Sequence, residues 1–306
     1  MYDCALFDVD GVLVNIRKSY NSAIKKTVEF ILSRLSGRSF RGIVTDEIIL
    51  RFRQTGGFNN DTDTTYAISL AMLSKPPKNT ADGRKLLFTV AENADETGIE
   101  SVEKFLANHE VQKWKDTLAY PAPVRESMLA RVFDEFFYGP QLFRRQNHLE
   151  PRYWKGRPLI KNDIPAVTAS TMRLLYKAFG GRLAMVTGRS QLAAKHSLKG
   201  LIKYFDLEAS VFLEDEKREY AKPNPYAIKK AMETMGASSA VYAGDSAEDF
   251  LMARRAESET GARIEFVGIY GLSPRPANTL SNFRHLGVDA TARTVNQLPE
   301  LIRTRL

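Results

Sequence analysis

The sequence predicts an α/β fold: a parallel sheet flanked by helices, with a mostly α-helical domain inserted after the first strand. A short apolar run at 3–7 ends in acidic residues. From residue 163 onward, similar runs alternate with helical patterns, which implies βαβ units. The stretch 16–159 does not continue this alternation and has mostly helical patterns. We therefore predict a core domain of residues 1–15 and 160–306 and an inserted domain of residues 16–159.

The core elements are short and regularly spaced. Strands are predicted where buried apolar runs end in polar residues, at 3–7, 182–186, 210–213, 240–243 and 265–269. Helices are predicted between them, at 163–179, 190–201, 225–235 and 247–256. In such a sheet, ligands bind at the carboxyl ends of the strands.

The inserted domain is predicted to be mostly helical. Apolar residues at helical spacing indicate helices at 19–35, 45–52, 61–73, 102–110 and 124–137. Pro76 and Pro77 mark a loop at 74–80, and 151–161 is predicted to be a return linker.

Composition is typical of a soluble globular protein, with 43% hydrophobic and 26% charged residues. No apolar stretch has the length of a membrane span, and no signal peptide is apparent, so we expect a cytoplasmic location and no membrane partner. The net charge of +8 is spread along the chain. Either it is a solvated basic surface or it attracts anionic substrates. Aromatic residues are not interleaved with the basic ones, so no nucleic acid partner is expected. The oligomeric state is left open.

Two polar motifs follow predicted strands. The first is DVDG at 8–11, where two acids flank one residue and Gly11 permits a sharp turn. The second is TGRS at 187–190. The hydroxyl of Thr187 is either a helix N-cap or, with exposed N–H groups such as that of Gly188, part of an anion site.

Two further motifs carry charge. Lys222 precedes Pro223, which defines a turn, and the segment GDSAED at 244–249 follows another strand. Asp245 and Asp249 are four residues apart and start a helix. Acids there complement the helix dipole, but several carboxylates converging at one sheet edge repel unless a cation lies among them. An all-oxygen site suits Mg²⁺.

In this order, DxDG, TGR, KP and GDSxxD resemble the motifs of the haloacid dehalogenase superfamily. The insert resembles the cap of the subfamily that includes phosphoglycolate phosphatases and β-phosphoglucomutases. The resemblance implies a Rossmann-like sheet, Mg²⁺ as cofactor and a small phosphorylated metabolite as substrate.

The resemblance also implies roles for individual residues. Asp8 would be the nucleophile that becomes phosphorylated, and Asp10 would be the general acid and base. Thr187 would bind the phosphoryl oxygens, and Lys222 would pair with Asp8 and the transferring group.

The expected metal ligands are Asp245, the Asp8 carboxylate and the Asp10 backbone carbonyl, with Asp249 supporting the site. Dehalogenases of this superfamily lack an acid at the Asp10 position, so phosphoryl chemistry is favoured. The alternatives are a phosphosugar mutase with the same residues, or a non-catalytic regulatory or binding member.

Substrate choice in capped members comes from the cap. The segment GGFNND at 56–61 is the candidate binding loop, with Asn59 and Asn60 as substrate ligands. The ordinary alternative is that it starts a helix, with Phe58 as a hydrophobic staple. Arg17 is a further candidate.

Overall fold

The protein divides into two compact units. The computed structural model describes residues 2–58, 60–107 and 109–305. Unit 1 comprises Met1–Ile16 and Asp163–Leu306, and unit 2 comprises Arg17–Asn162.

Unit 1 contains the predicted parallel sheet, which is confirmed. Its strands are β1 (Cys4–Phe7), β2 (Val14–Asn15), β3 (Ile164–Pro165), β4 (Leu183–Thr187), β5 (Val211–Phe212), β6 (Ser239–Gly244), β7 (Arg263–Ile269) and β8 (Ala290–Ala292). Six of these form one sheet in the order β5-β4-β1-β6-β7-β8, and every pairing in it is parallel. The sequence did not predict β8, because a three-residue strand carries too little apolar pattern.

The sheet is buried on both faces, which explains why β1 is a continuous apolar run without alternation. Ala5 and Phe7 belong to the core cluster on one face, and Cys4 and Leu6 belong to the cluster on the other. All four side chains are fully buried. This places β1 in the interior of the unit, and only its carboxyl end leads to a polar site.

Unit 2 is helical. Its helices are α1 (Tyr20–Ser36), α2 (Asp46–Arg53), α3 (Asp61–Ser74), α4 (Thr80–Glu92), α5 (Ile99–Leu106), α6 (His109–Leu118) and α7 (Met128–Asn147). Thr45 caps α2 and Asn60 caps α3 through their side-chain oxygens. Helix α3 is buried over most of its circumference, so it forms the centre of the unit.

Two predictions for unit 2 need correction, and one helix was not predicted. The predicted helix 102–110 is wrong at its end, because α5 stops at Leu106 and α6 begins at His109. The sequence analysis did not predict helix α4, although Asn79 caps it. The helix predicted at 124–137 begins only at Met128, where Ser127 provides the cap, and it continues past a break at Gly139 (φ 63).

The helices of unit 1 flank the sheet. They are α8 (Ala169–Ala178), α9 (Gln191–Leu198), α10 (Tyr226–Thr234), α11 (Ala247–Thr260), α12 (Pro276–His285) and α13 (Leu298–Arg305). The predicted helix 163–179 is wrong over its first six residues: Pro165 lies in β3, and Thr168 caps α8. No helix within the described ranges combines the length and the apolar character needed to cross a bilayer.

Within unit 2, a buried carboxylate anchors the segment that follows α7. Glu135 is fully buried and accepts backbone N–H bonds from Arg152, Tyr153 and Trp154, at 2.8, 2.5 and 2.8 Å. Arg131, one turn earlier, donates to it at 3.0 Å. The predicted linker is therefore tied to α7 by charge-assisted hydrogen bonds.

We expect Glu135→Ala to lower the free energy of unfolding by about 3–5 kcal/mol, because Arg131 and the backbone donors would lose their buried acceptor. Urea unfolding followed by circular dichroism measures this. Glu126→Ala, at an exposed position in the same unit, is the control. Equal stability of the two variants would contradict this account of the segment.

Candidate active site

The polar motifs of unit 1 meet at one edge of the sheet. Strands β4, β1 and β6 are neighbours and parallel, so their carboxyl ends lie side by side. Asp8 follows β1, Thr187 ends β4, and Asp245 follows β6. The structure therefore brings together motifs that lie far apart in the sequence, at the edge where parallel sheets bind ligands.

A buried lysine joins two of these motifs. The Lys222 ammonium donates to Asp8 Oδ1 at 2.9 Å and to Asp249 Oδ1 at 2.7 Å. Burial by itself would lower the pKa of Lys222, but Asp249 and Asp8 raise it above its usual value. Lys222 is thus a fixed positive charge beside the Asp8 carboxylate.

Both carboxylate oxygens of Asp249 accept several hydrogen bonds. The Tyr242 hydroxyl donates to its Oδ1 at 2.6 Å, and the Ser246 hydroxyl donates to its Oδ2 at 2.7 Å. Oδ2 also accepts the N–H groups of Asp245 and Ser246. Burial would raise the pKa of Asp249, but Lys222 and these hydrogen bonds lower it overall. Asp249 is therefore an ionised group that organises the β6–α11 turn.

Asp245 is in the opposite electrostatic position. Burial and the neighbouring charges of Asp8 and Asp249 raise its pKa well above the usual value. Oxygens of these three carboxylates lie within 4.8 Å of one another. An all-oxygen donor set with excess negative charge fits a hard divalent cation such as Mg²⁺.

Gly11 allows this close arrangement. Its φ of +77° is in the left-handed region, and a Cβ there would lie 1.8 Å from Asp245 Oδ2. The Asp245 carboxylate therefore packs directly against the backbone of the DVDG turn, and no side chain fits between them.

Asp10 forms its ion pair with Arg189, whereas Asp8 forms its ion pair with Lys222. The Arg189 guanidinium donates through Nε to Asp10 Oδ1, and through Nη1 to Asp163 Oδ2 at 2.8 Å. Burial raises the pKa of Asp10 to about 7, with Arg189 opposing this and the Asp8 and Asp163 charges adding to it. Arg189 was part of a predicted motif but had no assigned role. Asp163 was missed, because no local pattern relates it to Asp10.

The helix cap after β4 is supplied by Ser190, not by Thr187. Ser190 accepts the N–H of Ala193 at 3.2 Å, whereas Thr187 Oγ1 accepts only a long bond of 3.3 Å from the Arg189 N–H among the bonds of the described residues. Thr187 is fully buried and Gly188 is exposed. The capping role thus belongs to Ser190, and anion binding by Thr187 and Gly188 stays a prediction.

The substrate residues predicted in the insert belong to unit 2, whereas Gly188 belongs to unit 1. Asn60 accepts the N–H of Thr62 at 2.8 Å as the cap of α3, and Phe58 is buried against Phe52 with ring centroids 5.1 Å apart. The Asn60 cap matches the ordinary helix-start alternative, whereas the Phe58 contact is with α2 and not with α3. Arg17 is exposed. Asn59 lies outside the described residues.

Comparison with known proteins connects this geometry to a family. The model of the haloacid dehalogenase-like hydrolases matches residues 2–257. No curated protein matches the chain.

Solved structures of similar fold span the whole chain. Phosphatase Tt82 from Thermococcus thioreducens is 23% identical with a TM-score of 0.62, over 97% of this chain and 98% of that one. A hydrolase from Pseudomonas syringae (16% identity, TM-score 0.51) covers 99% of both chains. A predicted phosphatase from Clostridium acetobutylicum (17% identity, TM-score 0.51) also covers 99% of both. At these identities the likeness shows the fold.

The crowding of these carboxylates predicts how the stability of the metal-free protein depends on pH. A carboxyl group whose folded pKa is raised stabilises the fold fully below its unfolded value, about 3.9, and loses this contribution as pH rises through the folded value. For Asp10 this window ends near the folded pKa of about 7. Asp245→Asn removes one of the repelling charges.

In EDTA, we therefore expect Asp245→Asn to raise Tm by about 2–6 °C at about pH 8 and by less at about pH 5. Calorimetry at both pH values measures this, with the exposed Asp289→Asn as control. A variant that is destabilised at the higher pH would show that the Asp245 charge is not repelled.

Proposed function

The chain belongs to the haloacid dehalogenase-like hydrolase family, and from this premise we propose that it is a Mg²⁺-dependent phosphatase acting on a small phosphorylated metabolite through a phosphoaspartyl intermediate on Asp8. Unit 1 is then the catalytic domain and unit 2 the cap. The observation that carries the proposal is the Asp8 carboxylate, which is bound to the buried Lys222 and lies within 4.8 Å of an Asp245 oxygen.

The metal would be held by the Asp8 and Asp245 carboxylates and the Asp10 backbone carbonyl. Asp249 supports the site by fixing the turn that carries Asp245. When bound, Mg²⁺ supplies positive charge that offsets the repulsion between a carboxylate nucleophile and an anionic phosphoryl group.

In the first step, an oxygen of Asp8 attacks phosphorus and the bond from phosphorus to the leaving oxygen breaks. Asp10 transfers its proton to that oxygen, so the product leaves as an alcohol. Lys222, the Thr187 hydroxyl and the Gly188 N–H stabilise the charge on the phosphoryl oxygens.

In the second step, water attacks the phosphorus of the aspartyl phosphate. Asp10, now ionised, takes a proton from the water, and the bond between phosphorus and Asp8 breaks to release phosphate. The pKa of about 7 suits Asp10 to both roles, because an acid that must also act as a base works best near the operating pH.

The part of the substrate that does not react is proposed to be recognised by the loop 56–61 and Arg17. Since Asn60 has its side chain committed to capping α3, Asn59 is the better test of this idea.

We expect Asn59→Ala to raise KM for the preferred metabolite about 10-fold, as for loss of one hydrogen bond, and to leave p-nitrophenyl phosphate hydrolysis unchanged. Steady-state kinetics on both substrates measures this. Asn93→Ala, an exposed residue of unit 2, is the control. If Asn59→Ala matches the control on the metabolite, the loop has no role in recognition.

The main test is phosphate release from a panel of phosphorylated metabolites. We expect release to require Mg²⁺, to stop in EDTA, and to fall by at least about 10⁴-fold in Asp8→Asn, as for loss of a nucleophile. Asp289→Asn should retain full activity. Isomerised sugar phosphate without free phosphate would identify a mutase instead, and no turnover by the folded wild type would indicate a binding member.

A further inference from the structure

We propose that Arg189 is a positioning residue that holds the Asp10 carboxyl group so that its proton lies on the oxygen facing the leaving group. This inference rests on the proposed phosphatase function. Its basis is a fully buried guanidinium that contacts Asp10 on one side and a second acidic residue, Asp163, on the other.

The guanidinium has a fixed orientation. Nη1 donates to Asp163 Oδ2 at 2.8 Å and to the Ser197 hydroxyl oxygen at 2.7 Å. Ser197 in turn donates to the same Asp163 oxygen at 2.6 Å. These three groups form a closed triangle, so Asp163 and Ser197 help to fix the position of Nε, which donates to Asp10.

Arg189 has a buried counter-charge besides Asp10. Asp163 is almost fully buried and by itself provides the opposite charge that a buried Arg189 requires. The Asp10 side chain keeps 26% of its surface exposed, whereas the Arg189 and Asp163 side chains are buried. Arg189 therefore connects a buried structural ion pair to a partly exposed reactive group.

The chemistry of the guanidinium then decides where the Asp10 proton lies. Arginine has only donors, so Asp10 Oδ1, which accepts from Nε, cannot carry a proton directed at Arg189. Because the protonated oxygen of a carboxyl group is the weaker acceptor, the bond from Nε to Oδ1 favours the arrangement in which the acidic proton of Asp10 is on Oδ2. In the first step this proton passes from Oδ2 to the leaving oxygen as the phosphorus–oxygen bond breaks.

This role has a signature that a general structural defect lacks. Phenyl phosphate and p-nitrophenyl phosphate have almost the same shape, but p-nitrophenolate is much the better leaving group and needs little proton donation. Loss of a correctly placed acid should therefore slow the phosphorylation of the enzyme, reported by kcat/KM, far more for phenyl phosphate.

The experiment compares kcat/KM for the two aryl phosphates in the Mg²⁺-loaded enzyme. We expect Arg189→Met to lower it about 10²–10³-fold for phenyl phosphate, within the range of general acid catalysis, and less than about 10-fold for p-nitrophenyl phosphate. Arg189→Lys should recover part of the difference. Arg254→Met, which removes another hydrogen-bonded arginine of unit 1, should show no preference between substrates.

Equal losses on both substrates in Arg189→Met, or no loss, would overturn the inference. If Arg189→Met does not fold, Ser197→Ala is the deciding variant: a selective loss on phenyl phosphate supports the inference, and its absence overturns it.

Two further variants separate this inference from the proposed function. Activity in Asp8→Asn, or no leaving-group dependence in Asp10→Asn, would refute the phosphatase mechanism itself. If both behave as expected while Arg189→Met resembles Arg254→Met, only the positioning role is refuted.

Discussion

Burial of negative charge beside the carboxyl edge of the sheet is the constraint on which the rest of the site depends. The carboxylates involved are Asp8, Asp10, Asp163, Asp245 and Asp249, and the cations among them are Lys222 and Arg189. With all groups ionised, five negative charges would face two positive ones. Carboxylates this close cannot all remain charged without a further cation, so the raised pKa of Asp245 and the proposed Mg²⁺ have the same physical cause.

The two cations divide the acids into two sets with different properties. Lys222 bridges Asp8 and Asp249 and keeps the pKa of Asp249 low. Arg189 contacts Asp10, but the effect of burial is larger than that of Arg189 and raises the pKa of Asp10 to about 7. Asp8 and Asp10, only two residues apart, therefore pair with different cations, which agrees with the separate roles of nucleophile and proton donor proposed for them.

The course of the chain brings Asp163 close to Arg189. The DVDG turn leads into β2, where the antiparallel pairs Val14–Pro165 and Asn15–Ile164 bring the returning chain beside the outgoing one. Asp163 directly precedes β3 and so reaches Arg189 although unit 2 separates it from Asp10 in the sequence. The insertion of unit 2 between β2 and β3 therefore leaves the polar cluster within one compact unit.

The sequence by itself determined the parallel sheet and the three motifs at its strand ends, because both depend on local patterns: apolar runs of strand length, and polar residues directly after them. The fourth motif, Lys222 and Pro223, was predicted from its turn. It also predicted the helix at 45–52, which the structure places at Asp46–Arg53 with Thr45 as its N-cap. It was wrong at 163–168 because Pro165 and the pairing of β3 override a helical pattern. Only the tertiary structure decided that Ser190 rather than Thr187 caps α9, and that Arg189 joins Asp10 to Asp163. The cap is a contact between residues three apart. The contacts of Arg189, however, join residues distant in sequence, and they are set by strand order and burial, which no local spacing encodes.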